Sequence, residues 1–194
     1  MGHGVVRVKK WVACITLALI AANASAQVDV FDALRDDGHV LLLRHAIAPG
    51  FGDPDEFDIN DCATQRNLSA QGRQQARAIG DQLRAEGLGD IAVYTSYWCR
   101  GRDTANAMNL TQPQPHPGLN SFFQDRGQRD AIINALRDLL KTLANEPPAV
   151  LVTHQVNIRA VTGQGVRSGG GVVVKLDAQG ATQVVGRFSA PTPE

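Results

Sequence analysis

Two apolar runs in this chain end on a histidine: Val40-Leu41-Leu42-Leu43 leads into Arg44-His45-Ala46, and Ala149-Val150-Leu151-Val152-Thr153 leads into His154. Short uninterrupted runs of this kind read as strands buried on both faces, which in an α/β protein means parallel strands covered by helices. Side by side, the two strands would deliver both imidazoles to one edge of one sheet. Ligands of α/β folds sit outside the carboxyl ends of parallel strands, so that edge is the candidate site.

The rest of the chain alternates in a βα manner. The stretch from Pro49 to Asp61, broken by Gly50, Gly52 and Pro54, reads as a loop. Ser69 reads as an N-cap, and Ala76, Ile79, Leu83 and Leu88 keep helical spacing until Gly87 and Gly89 stop the helix. Ile91-Ala92-Val93-Tyr94 is a short strand, its exit at Thr95-Ser96 leading to a helix from Arg100 to Met108. Pro113, Pro115 and Pro117 hold the next stretch extended, and an amphipathic helix from Arg126 to Leu143 aligns Ile132, Leu136, Leu139 and Leu140. Beyond His154 come a short helix from Asn157 to Val161, the run Gly169-Gly170-Gly171, and strands at Val172 to Leu176 and Gln183 to Phe188. No repeat or linker interrupts this order, so 194 residues make one domain with its own core.

The first 26 residues read as a secretory signal: basic Arg7, Lys9 and Lys10, an apolar stretch from Trp11 to Ala22, and Ala24-Ser25-Ala26 before Gln27. That stretch is shorter than the about 20 residues of a spanning helix, and Cys14 lies at its start, where a lipoprotein cysteine would not. Cleavage after Ala26 is therefore expected, leaving residues 27–194 as a periplasmic or secreted domain with no membrane span. Without the leader, acidic groups exceed basic ones by three, and no basic cluster recommends a nucleic-acid partner. Cys62 and Cys99 remain as an even pair in an oxidising compartment, where a disulfide is the default and two buried thiols are the alternative.

Arg44-His45-Ala46 at a strand end resembles the Arg-His-Gly signature of the histidine phosphatase superfamily, which includes the phosphoglycerate mutases. Further features follow in the same order. Leu68-Ser69-Ala70-Gln71-Gly72-Arg73-Gln74-Gln75-Ala76 is similar to the start of the family's first helix, and Thr95-Ser96 leads to Arg100 with Thr104-Ala105 behind it. Val152-Thr153-His154 with Asn157-Ile158-Arg159 is similar to the second histidine strand and its helix. The resemblance implies a phosphoglycerate mutase-like α/β fold: a three-layer sandwich with a mostly parallel central sheet flanked by helices.

It also implies a chemistry. A phosphate monoester dianion is attacked in line while fixed donors offset the developing charge, and arginine's planar guanidinium can grip two phosphate oxygens at once. By resemblance, Arg44 and Arg100 are such grips, His45 is the nucleophile that becomes a phosphohistidine, and His154 donates to the transferred group. Water then hydrolyses the intermediate, with no metal or cofactor. The expected substrate is a small phosphate monoester, with sugar and envelope saccharide phosphates among the candidates.

Duller readings exist for each residue. A strand-end histidine can be a satisfied structural group, and Arg100 alone would suit a surface ion pair. A metal site from His45, His154 and His116 has no His-x-x-x-His spacing behind it, and Arg44 would repel a dication. Trp98, Phe122 and Phe123 read as packing residues. The chain departs from the family in two places. Ala46 replaces a glycine, which requires only that the backbone there suit alanine. Ser121 follows Leu119-Asn120 where relatives carry an acid-catalyst glutamate, so Asp125 is the expected general acid, with Asp55, Glu56, Asp58 or no acid as alternatives. Two other functions stay open: a phospho-ligand binding module with little turnover, and a mutase-like phosphotransferase.

Overall fold

The computed structural model describes residues 1–2 and 29–191. All but the first two residues of the expected leader, and its cleavage site after Ala26, lie outside them. Helix α1 (Val30–Ala33), capped by Asp29, precedes strand β1 (Val40–Arg44). Then follow α2 (Ala70–Ala85), β2 (Ala92–Thr95), α3 (Cys99–Met108), β3 (Gln114–Pro115), α4 (Arg129–Leu143), β4 (Ala149–Thr153), α5 (Gln155–Thr162), β5 (Gly171–Leu176) and β6 (Thr182–Phe188). The six strands form one sheet in the order β3-β2-β4-β1-β5-β6. β1, β2, β3 and β4 run parallel, while β5 pairs antiparallel with both β1 and β6.

Alternation along the strands sorts the core into two layers. Leu41, Leu43, Val150 and Val152 pack with Ile79, Leu83, Ala105 and Met108 from α2 and α3. Val40, Leu42, Ala149 and Leu151 turn to the other face, against Ile133, Leu136, Leu140 and Leu143 of α4 and Ile158 of α5. Each large apolar side chain fully buried here contributes about 1.5–3 kcal/mol relative to exposure. The molecule is thus the expected sandwich of helices on both faces of a sheet.

Differences from the sequence reading are local. The amphipathic helix starts at Arg129, because Arg126–Gln128 form a 3₁₀ turn first, and Ile133 takes the buried place expected of Ile132. The proline-spaced stretch supplies the two-residue edge strand β3, where Pro115, lacking an N–H, can sit. Ser69 caps α2 by accepting from Gly72 N at 2.9 Å. Gly72 has to be glycine, since a Cβ there would stand 2.0 Å from the Ile47 carbonyl oxygen.

Candidate active site

Register fixes the site. Arg44 pairs with Thr153 across β1 and β4, and the His45 N–H donates to the Thr153 carbonyl at 3.0 Å. Both strands therefore end at the same level, and the rings of His45 and His154 come within 5.4 Å, centroid to centroid. Both are almost fully buried.

His45 is held in one tautomer. Its Nδ1–H donates to the Ala46 carbonyl at 2.8 Å, which leaves the lone pair on Nε2. The Ala46 N–H donates to Thr104 Oγ1 at 2.9 Å, and that hydroxyl donates to the Arg100 carbonyl at 2.7 Å, tying the end of β1 to α3. Ala46 does not have positive φ, so alanine serves where the family pattern has glycine. His154 Nε2 lies 3.1 Å from Ser96 Oγ. Ser96 is pressed against Gly101, where a Cβ would stand 2.3 Å from its hydroxyl.

Arg44, His45, Arg66, Arg100, His154 and Ser121 line one cavity of about 170 Å³. Arg44 Nη1 donates to the Val166 carbonyl at 3.1 Å. Arg66 donates through Nε to Gly52 O at 2.7 Å and through Nη1 to Ala48 O at 2.5 Å. Arg100 Nη1 donates to Asp53 Oδ1 at 2.7 Å, in an ion pair whose side chains are 3% and 1% exposed. The buried Nε groups of Arg44 and Arg100 have no acceptor among the described residues. Buried donors are normally satisfied, so these two are available to an oxyanion.

The electrostatics suit that ligand. Burial, then the Arg100 charge, hold the His45 pKa well below its ordinary value, with Arg44 and Arg66 adding to the effect against the Ala46 hydrogen bond. His154 is pushed well down for the same leading reasons, burial and Arg100. Both imidazoles are consequently neutral at neutral pH, the form in which a ring nitrogen keeps a lone pair. Burial also lowers all three guanidinium pKa values, and Asp53 opposes this for Arg66 and Arg100. Three clustered cations with one carboxylate leave a net positive pocket matched to a phosphate dianion.

The expectation for Asp125 needs correction. Its carboxylate caps a 3₁₀ turn by accepting from Gly127 N at 3.0 Å, and it lines a neighbouring cavity of about 700 Å³, outside the His45 cavity. Asp55, Glu56 and Asp58 are exposed and line neither. Among the described residues, no aspartate or glutamate lines the His45 cavity. Ser121, standing where the family pattern has glutamate, lines both cavities and joins them, while its Oγ accepts from Phe123 N at 3.2 Å. His116 lines neither, and its Nδ1 accepts from Gly118 N at 3.1 Å, so the metal set weighed from the sequence does not assemble. Phe123 lines the smaller cavity and Trp98 the larger, so both border ligand space as well as packing.

Arg66 and Asp53 escaped the sequence reading. Arg66 lies two residues before the Leu68-Ser69 helix start and Asp53 in the glycine-broken loop; their sequence neighbours signal proximity, but nothing in the sequence gives a side-chain direction. Cys62 and Cys99 are bridged, with Cα atoms 5.7 Å apart. The bridge fastens the loop after β1 to the first residue of α3, immediately before Arg100.

Comparison with known proteins agrees with this fold. The sequence pattern of the histidine phosphatase superfamily (branch 1) matches residues 40–122. The fold is similar to that of the protein histidine phosphatase SixA, solved with tungstate: 18% identity, TM-score 0.53, covering 78% of this chain and 96% of that one. A phosphoserine phosphatase mutant from Entamoeba histolytica, solved with phosphoserine, is 15% identical with a TM-score of 0.57, covering 78% and 96% of the two chains. Mycobacterial hydrolase 1 gives 15% identity and a TM-score of 0.56 over 79% and 99%. None of the curated proteins matches. The molecule is an α/β protein of phosphoglycerate mutase-like fold. Its residues 40–122 carry the pattern of the histidine phosphatase superfamily.

Proposed function

We propose that this protein is an exported phosphatase that hydrolyses a small phosphate monoester through a phosphohistidine on His45. One observation carries the reading: His45 Nδ1 is committed to the Ala46 carbonyl, so Nε2 is the free nucleophilic nitrogen, inside a cavity it shares with three arginines and His154. The Nε2 lone pair forms the N–P bond as the ester P–O bond breaks. Arg44, Arg66, Arg100 and His154 offset the charge on the equatorial oxygens. The leaving oxygen takes its proton from water. The hydroxide so formed then attacks phosphorus, the N–P bond breaks with its electron pair returning to Nε2, and inorganic phosphate leaves with His45 neutral again.

Export is supported by the sequence reading of residues 1–26 and by the bridged Cys62 and Cys99. No helix among the described residues is long and apolar enough to cross a membrane.

The lining without carboxylates favours leaving groups that need no protonation as they depart, such as acidic phenols. It also favours a second reading, a phosphoramidate substrate, because a phosphorylated imidazole can depart as a neutral base. Brief incubation with ³²P-labelled aryl phosphate and with phosphohistidine, followed by quenching, should trap an acid-labile, base-stable adduct in wild type and none in His45→Asn. An adduct that persists in His45→Asn overturns the assignment. The better of the two substrates decides between the readings.

A further inference from the structure

One buried carboxylate joins the two cavities. Oδ1 of Asp53 accepts from Arg100 Nη1 at 2.7 Å and from the Arg66 N–H at 3.0 Å, while Oδ2 accepts from Trp98 Nε1 at 3.1 Å. Gln124 clasps the backbone of the same residue, accepting from Asp53 N at 2.7 Å and donating to Asp53 O at 3.1 Å. Every side-chain partner of Asp53 is a donor, the pattern of an acceptor rather than a proton source. Arg100 belongs to the small phosphate-like cavity, whereas Trp98 is in the wall of the 700 Å³ cavity and its ring lies 5.7 Å from that of His154.

We propose that Asp53 is a positioning residue that sets the Arg100 guanidinium for the transferred phosphoryl group and couples it to Trp98 in the wall of the neighbouring 700 Å³ cavity. Asp53 stands at the flank of Gly52 (φ +71°), where the loop after β1 can turn sharply and drop a short side chain between the two cavities. A guanidinium has many rotamers, and a fixed carboxylate selects one. The same carboxylate is the indole N–H's only acceptor among the described residues, so a shift of Arg100 towards a bound oxyanion must be felt at Trp98, and a ligand pressing on Trp98 must be felt at Arg100. The inference rests on the proposed oxyanion role of the His45 cavity.

The test uses inorganic phosphate and the full chain carrying Trp11→Phe, which leaves Trp98 as its single tryptophan. Phosphate affinity is read by calorimetry, the state of Trp98 by fluorescence, and kcat and KM on an aryl phosphate. In the parent, phosphate should change Trp98 fluorescence saturably. Asp53→Asn, which puts an amide donor among donors, should weaken phosphate binding by about tenfold or more, lower kcat more than it raises KM, and abolish the fluorescence response. Trp98→Phe keeps a ring but removes the N–H, and although Trp98 does not line the phosphate cavity it should still weaken phosphate binding about threefold or more. Trp98→Phe also decides the matter if Asp53→Asn does not fold. Unchanged or tighter phosphate binding in either variant overturns the proposal, tighter binding marking Asp53 as a mere counter-charge. A parent that binds no phosphate overturns the functional reading and this inference together, whereas binding that is indifferent to both variants overturns only the inference.

Discussion

The rings of His45 and His154 lie 5.4 Å apart because their strands are paired residue for residue, with Arg44 opposite Thr153. The two imidazoles have different fixed partners, the Ala46 carbonyl for one and the Ser96 hydroxyl for the other, and therefore different expected roles. Replacing His45 by Asn should lower kcat by at least about 10²-fold and remove the phosphoenzyme. His154→Asn should slow adduct formation by a similar factor yet leave an adduct that can be trapped. Quench experiments on both variants check this; an adduct lost in both or kept in both contradicts the division of labour.

Arg66 should matter as much as the two arginines legible in the sequence. It lines the same cavity and is braced by the carbonyls of Gly52 and Ala48, so its head group is already oriented. Arg66→Ala, Arg44→Ala and Arg100→Ala should each cost about 2–4 kcal/mol in transition-state stabilisation, read as loss of kcat/KM, and each should weaken tungstate inhibition. Equal tungstate inhibition in Arg66→Ala and wild type would remove Arg66 from the set.

Much of this architecture was legible because it rests on periodicity and strand ends. Continuous apolar runs identify β1 and β4, the Ser69 cap identifies α2, and two histidines terminating two buried strands have few places to go but one sheet edge. Arg66 and Asp53 were not legible, since a loop residue's direction depends on tertiary partners: Asp53 is drawn inward by Arg100 and Trp98, far away in sequence. Asp125 misled for the converse reason. Chain proximity to Ser121 suggested a shared pocket, but its carboxylate turns to cap Gly127.

Acid should affect activity and stability by the same two groups. As the proposed nucleophile His45 would attack only when neutral, and burial with the Arg100 charge holds its pKa well below 6.5, so the acid limb of kcat/KM should fall below pH 6.5. For stability, the unfolded histidines take up protons near pH 6.5 and the folded ones only at lower pH. Their contribution is present above pH 6.5 and is lost as pH falls towards the folded values. Tm should therefore decline from pH 7 to pH 5, and His154→Asn should reduce the slope. A slope unchanged by that substitution would contradict the assignment.

The Cys62–Cys99 bridge closes a loop with a sequence separation of 37, which constrains the unfolded chain by about 4 kcal/mol in the chain-entropy account. Reduction, or Cys62→Ser, should lower Tm by on the order of 10 °C. Activity should also fall below the unfolding temperature, because the bridge anchors the loop carrying Asp53 next to Arg100. Mass spectrometry of alkylated, non-reduced protein should find no free thiol at Cys62 or Cys99.

The composition of the cavity makes a last prediction about substrate choice. No aspartate or glutamate among the described residues lines the space around His45, and Asp125 lines only the neighbouring cavity with one oxygen already engaged by Gly127. A general acid is worth about 10²–10⁴ in rate, and most where the leaving oxygen is poor. Rates across a series of phosphate esters should therefore fall steeply as the leaving-group pKa rises, from nitrophenyl through phenyl to alkyl phosphate. Asp125→Asn, which keeps an oxygen for the turn, should change kcat/KM by less than about threefold on every member of the series. If Asp125→Asn instead slows alkyl phosphates by about 10²-fold while sparing nitrophenyl phosphate, Asp125 does reach the leaving oxygen, and substrate binding must then draw the two cavities together at Ser121.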